Sequence, residues 1–139
     1  MLPFKTVQLD HVVLRVNDLA ASLNFYTNVV GATFERELPE LGLYQVRIGA
    51  ALIDLVPVTS TLGEMGGGDL APEGKNLDHF AIRIEPFDLD ALTDHLTAHN
   101  VEVSEAGIRY GAEGNGPSVY IQDPDGNTVE LKGPPRDTI

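Results

Sequence analysis

Two histidines and two carboxylates fall at equivalent places of a pattern used twice. His11 lies in Leu9-Asp10-His11-Val12-Val13-Leu14-Arg15-Val16, and His79 in Leu77-Asp78-His79-Phe80-Ala81-Ile82-Arg83-Ile84. Both stretches read Leu-Asp-His, run on through mostly apolar residues, and carry Arg four positions after the His. At the other end of each copy, Ala51-Leu52-Ile53-Asp54-Leu55 lies over Asn127-Thr128-Val129-Glu130-Leu131, so Asp54 and Glu130 are also equivalent. A carboxylate flanked by apolar strand residues is costly to bury unless something pairs with it. A divalent cation held by two imidazoles and one or two carboxylates meets that cost. Such a donor set suits Fe(II), Mn, Co, Ni or Zn, with positions left open for substrate. Taken singly, each of the four is more readily a hydrogen-bonded or solvent-facing side chain; the symmetric repetition favours one metal site. Asp54, one methylene shorter than Glu, either ligates directly or acts through water.

Other polar residues stand near these. Arg15 and Arg83 share the histidine face of their strands and serve either as contacts for an anionic substrate or as partners of nearby acids. Tyr120 packs in the core or offers a hydroxyl to substrate. His95 and His99, spaced i, i+4, fall on the polar side of a helix and read as a solvated face.

The rest of the composition bounds these readings. The 139 residues are 42% hydrophobic and 22% charged, enough to bury a core. With no Cys, any metal site must use His and carboxylates. A formal charge of −12 with only nine Lys and Arg opposes nucleic-acid and anionic-membrane binding. Met1-Leu2-Pro3-Phe4-Lys5 carries no apolar leader, and no apolar run approaches the roughly 20 residues of a membrane span. A soluble, cytoplasmic protein with a small-molecule ligand is expected.

The elements that must position these residues repeat in order. Residues 9–16 alternate as a strand, and Asn17-Asp18 caps a helix over about 19–30 with Leu19, Leu23, Tyr26 and Val30 as its buried stripe. Strands are expected at 32–38, 43–48 and 51–58. The first module thus covers about 7–58 as β-α-β-β-β. Residues 59–76, with Gly66 to Gly68 in a row, form a connecting loop. The second module, about 77–133, has a strand at 77–85, a helix capped by Asp88 or Asp90 to about 100, a strand from 101–103, and a Gly-rich loop over 107–116. A hairpin, 118–122 with 127–132, turns on Asp123-Pro124-Asp125-Gly126. The tail from Gly133 is expected to be loose. The fold class is α+β.

At this point the sequence resembles the vicinal oxygen chelate superfamily, which includes glyoxalase I, bleomycin-resistance proteins, fosfomycin-resistance enzymes, methylmalonyl-CoA epimerase and extradiol dioxygenases. The resemblance rests on Leu9-Asp10-His11, Phe25-Tyr26 with Gly31, Leu77-Asp78-His79, and above all the run from Tyr120 to Glu130. Arg109-Tyr110-Gly111-Ala112-Glu113-Gly114 is similar to a pattern of small glyoxalase-domain proteins, and adds Arg109 to the candidate substrate contacts. The resemblance implies one domain over 1–139, with tandem βαβββ modules forming a cup-shaped, barrel-like mixed sheet, and a homodimer. It maps one divalent metal ion (Ni, Co, Zn, Fe or Mn) onto His11, His79 and Glu130, with Asp54 at a fourth position.

Family membership leaves the reaction open. A metal-dependent lyase or isomerase of the glyoxalase type is expected, with Glu130 or Asp54 as base and Tyr120 in the site. The alternatives are an Fe(II) or Mn(II) extradiol-type dioxygenase, to which Tyr120 points, and a non-catalytic bleomycin-resistance-like binding protein. No His lies between His11 and His79, which disfavours ordinary ring cleavage. Few cations are available for a phosphonate pocket.

Overall fold

The structure, a computed structural model, describes residues 1–139 and divides into two units, Met1–Leu70 and Ala71–Ile139. In the first unit, β1 (His11–Val16) leads through α1 (Leu19–Asn24) to β2 (Thr33–Leu38), β3 (Leu43–Ile48), β4 (Ala51–Pro57) and α2 (Thr61–Glu64). In the second, β5 (His79–Arg83) and α3 (Leu89–Ala98) precede β6 (Glu105–Gly111), β7 (Gly114–Gln122) and β8 (Thr128–Lys132). Each unit holds one open four-stranded mixed sheet, ordered β1-β4-β3-β2 and β5-β8-β7-β6. The first strand of each unit pairs in parallel with its last, and the remaining ladders are antiparallel. The chain is therefore α+β with the βαβββ order repeated. No helix is long and apolar enough to cross a membrane.

The alternation along β1 and β5 divides each sheet into two faces. Leu14 and Val16 join Val46, Ile53 and Leu55 on the apolar face of the first sheet, with Phe25, Tyr26 and Val29 also buried. In the second, Ile82, Val119, Ile121, Val129 and Leu131 are buried, along with Phe87 and Leu96. β4 and β8 have neighbours on both sides and are buried along most of their length, including residues of the polar face. That placement is why Asp54 and Glu130 are buried.

Several elements differ from the sequence expectation. The helix from Leu19 widens into a π-type turn over Phe25–Val29. Its buried residues are Ser22, Phe25, Tyr26 and Val29, so the stripe is rotated from the expected Leu19, Leu23 and Val30, which are half-buried. Residues 101–103 form no strand, and 107–116 is no loop: β6 and β7 make a regular hairpin paired from Glu105↔Tyr120 to Gly111↔Gly114. Its glycines have a packing cause. A Cβ on Gly111 would stand 2.7 Å from Lys132 Cε, and one on Gly107 2.6 Å from Arg109 Nη1. Pro117 lies one step past the end of the regular β7–β8 ladder at Ser118↔Lys132, where it still accepts from the Gly133 amide at 2.7 Å. The tail is not loose, since Arg136 donates to the Phe87 carbonyl at 3.1 Å and its guanidinium lies over the Phe87 ring.

The connecting segment is also tied down. Ser60 caps α2 by accepting from the Gly63 amide at 3.0 Å. Arg15 Nε donates to Gly63 O at 3.0 Å, and its Nη2 to Gly67 O and Gly68 O, each at 2.9 Å. A Cβ on Gly66 would stand 2.4 Å from the Arg15 side chain, so a glycine there lets the guanidinium lie against the backbone. A cation at the end of α2 also satisfies carbonyls that a helix leaves unpaired. Arg15→Met is therefore expected to leave the sheet intact while raising hydrogen exchange at the amides of residues 64–67, measured by mass spectrometry; unchanged exchange there would contradict the clamp.

Candidate functional site

The strand register sets four chemically active side chains in two matching pairs. On β1, His11 is opposite Leu52 of β4, and Val13 is opposite Asp54. On β5, His79 is opposite Thr128 of β8, and Ala81 is opposite Glu130. Paired residues share a face, so each imidazole lies on the same face as its carboxylate, one diagonal step away. Both carboxylates are buried, Asp54 at 4% and Glu130 at 6% exposure, while both histidines remain accessible.

Both imidazoles are oriented in the same way. His11 Nδ1 lies 2.7 Å from Asp10 Oδ1, and His79 Nδ1 lies 2.6 Å from Asp78 Oδ2. A carboxylate only accepts, so Nδ1 carries the proton in each bond and the Nε2 lone pair of the neutral ring is left for another partner. This is the second-sphere arrangement that metal-binding histidines use. His79 Nε2 is 3.4 Å from Glu130 Oε2, long for a hydrogen bond. Two ligands of one cation at bond lengths of about 2.0–2.2 Å and tetrahedral angles are separated by about 3.3–3.5 Å. The other oxygen, Oε1, accepts from the fully buried Ser118 hydroxyl at 2.6 Å. In the first unit Asp54 Oδ1 accepts from Gln45 Nε2 at 3.0 Å. No three His, Asp or Glu side chains of the chain gather around one point in the structure. Each unit holds one imidazole and one carboxylate on one sheet face, donor types that suit a divalent ion.

Tyr120 is opposite Glu130 across the β7–β8 ladder, and its ring meets the His79 ring edge-on at 5.7 Å. Burial is the main cause that pushes the Tyr120 phenol above its usual range, with the Glu130 charge adding to it and a hydrogen bond from Arg109 opposing it. The phenol is thus a hydrogen-bond donor at neutral pH. Arg109 lies over the Tyr120 ring at 5.6 Å and pairs with Glu105. Arg83 pairs with Glu113 at 2.7 Å and Glu85 at 3.3 Å, and Arg15 is engaged by the backbone of residues 63–68. Of the two readings open for Arg15 and Arg83, both are held within the chain, Arg83 by acids and Arg15 by carbonyls.

The structure adds residues that the sequence reading leaves without a role. Asp10 and Asp78 belong to the repeated Leu-Asp-His and orient the rings. Gln45 and Ser118 fix the carboxylates; both lie on the carboxylate face by strand alternation, which is the signal that points to them. His95 and His99, on α3, are exposed, with ring centroids 4.8 Å apart.

His11 is held above its usual pKa of 6.5, first by the hydrogen bond to Asp10 and then by the Asp54 charge. A raised folded-state value contributes stability in full below the unfolded-state pKa, and that contribution is lost as pH rises through the folded-state value. Asp10→Asn should therefore lower the His11 pKa in NMR titration of the metal-free protein. An unmoved His11 titration would contradict the assigned pairing.

A family model described as Glyoxalase/Bleomycin resistance protein/Dioxygenase superfamily matches residues 8–131. Virulence protein STM3117 of Salmonella typhimurium is 28% identical over 130 residues, covering 89% of this chain and 82% of that protein. Lactoylglutathione lyase GLX1 of Arabidopsis thaliana is 32% identical over 133 residues, which are 89% of this chain and 44% of the relative, so the chain spans less than half of that enzyme. The solved structure of the fosfomycin resistance protein FosX from Listeria monocytogenes superposes with a TM-score of 0.69 at 25% identity, covering 92% of this chain and 91% of that one.

Proposed function

We propose that this chain, which belongs to the glyoxalase/bleomycin resistance protein/dioxygenase superfamily, is a divalent-metal-dependent lyase or isomerase of the glyoxalase type that acts on a small substrate with vicinal oxygens. The observation that carries the reading is the His79–Glu130 pair, with Nε2 and Oε2 at ligand spacing and the far side of each group already held by Asp78 and Ser118. His11, with its Nδ1 on Asp10, and Asp54 repeat the same chemistry in the first unit. His11, His79 and Glu130 are the proposed ligands, and Asp54 the fourth.

When bound, a divalent ion supplies Lewis acidity, polarising a carbonyl oxygen and acidifying the carbon next to it. The chain's own groups do the rest. A carboxylate oxygen of Glu130 or Asp54 accepts the proton from that carbon and returns it to the neighbouring one. The Tyr120 phenol, kept protonated by burial, donates a hydrogen bond to a substrate oxygen. Asp10 and Asp78 keep both imidazoles in the tautomer that presents Nε2. Tyr120 beside His79 also favours the dioxygenase reading, which differs in requiring iron or manganese.

Elemental analysis of tag-free protein tests the proposal. Near-stoichiometric metal is expected in the wild type and its loss in both His11→Ala and Glu130→Ala. Nickel, cobalt or zinc points to isomerisation, and iron or manganese to oxygen chemistry. Ser118→Ala, which frees Glu130 Oε1, should weaken zinc affinity about 10–100-fold in a chelator competition. A wild type that stays metal-free after metal is added back would overturn the enzyme reading in favour of a binding module.

A further inference from the structure

The cations beside either imidazole–carboxylate pair are already engaged by groups of the chain, some by acids and the others by backbone carbonyls. In the second unit the cations on the Glu130 face are Arg83, Arg109 and Lys132, placed there by the β5–β8 and β6–β7–β8 register. Arg83 is bridged to Glu113 and Glu85, and Arg109 to Glu105. Lys132 is 8% exposed, and its ammonium donates to the backbone carbonyls of Arg109 and Gly116. With Glu130 and Asp78 added, these three cations face five carboxylates. A divalent ion would bring that set to neutrality and no further.

The first unit is similarly closed. Arg15 is held by three backbone carbonyls, and Arg47 is paired with Glu35. Arg36, on the outer strand β2, is two strands from Asp54, about 10 Å away. Exposed ion pairs are individually weak. An incoming anion that drew Arg83 or Arg109 away would nevertheless leave Glu113 or Glu105 standing next to it, replacing attraction by repulsion. The chain's net charge of −12 acts in the same direction.

From this arrangement, and resting on the metal-site reading above, we infer that the site selects uncharged or cationic vicinal-oxygen substrates and discriminates against anionic ones such as phosphonates and carboxylates. Arg83 and Arg109 are already matched to carboxylates of the chain itself, which leaves the metal and the Tyr120 hydroxyl as the attractions for substrate oxygens.

Three catechols with the same pair of oxygens test this: catechol, dopamine with an added ammonium, and 3,4-dihydroxybenzoate with an added carboxylate. Their affinities for the zinc-loaded protein are measured by calorimetry at low ionic strength and again near 1 M, where the Debye length is about 3 Å. Dopamine and catechol should bind about threefold to tenfold more tightly than 3,4-dihydroxybenzoate at low salt, with the gap closing at high salt. In Glu105→Gln, and in Glu113→Gln combined with Glu85→Gln, which remove the acid partners of Arg109 and of Arg83, the penalty on the carboxylate should shrink or reverse. The inference is overturned if 3,4-dihydroxybenzoate binds more tightly than catechol and loses that advantage in Arg83→Gln or Arg109→Gln. Equal affinities, or zinc uptake with no catechol binding, overturn it while leaving the metal reading intact. Failure of the wild type to take up zinc removes both.

Discussion

The parallel ladder between the first and last strand of each unit is the constraint on which the rest depends. It sets His11 diagonal to Asp54 and His79 diagonal to Glu130 with the same offset, His11↔Leu52 and His79↔Thr128 being the register partners. Side chains alternate along a strand, so a slip by one residue would send an imidazole to the apolar face and strand its carboxylate partner. The hydrophobic pattern prevents that slip. Leu14, Val16, Ile82, Val129 and Leu131 belong in the core, and their burial fixes which face the polar residues take. Stability and chemistry are thus secured by one set of pairings.

Around that ladder, each active group is held from behind. The imidazoles are oriented by the aspartates that precede them, and the buried carboxylates by Ser118 and Gln45. The units differ in how they do this. Gln45 is directly opposite Asp54, whereas the equivalent position opposite Glu130 is Tyr120, and Ser118 reaches Glu130 from the next step along β7. The longer carboxylate is gripped diagonally, which leaves the opposed position to an aromatic ring that can face a ligand. The two units share one frame and differ at these positions, one setting a glutamate and the other the shorter aspartate diagonal to its histidine.

Much of this was legible in the residues themselves. The repeated Leu-Asp-His, the strand alternation, the caps Asp18 and Asp88, and the Asp123 turn all rest on local chemistry, and the structure places them accordingly. The β6–β7 hairpin was hidden because its glycines and Pro117 argue against a strand locally. The glycines leave room for Lys132, which comes from β8, and for Arg109, two residues from Gly107 along the same strand. The buried stripe of the first helix was misplaced from its start, where Ser22 is buried and Leu19 and Leu23 are half-buried, and the π-type turn at Phe25–Val29 then breaks the 3.6-residue spacing on which the reading relied. The partners of Arg15, Arg83 and Arg109 are mostly distant in sequence, so nothing in their own surroundings announced that their charges are internally matched.

The central claim is that the repeated histidines and the acids share one divalent ion. X-ray absorption at the zinc edge of protein loaded with one equivalent of zinc tests it most directly, because imidazole scattering can be counted. Two imidazoles and oxygen ligands, falling to one imidazole in either His11→Ala or His79→Ala, is the expected result. A spectrum with one imidazole or none in the wild type would contradict a shared site and leave the duplication as a structural repeat alone.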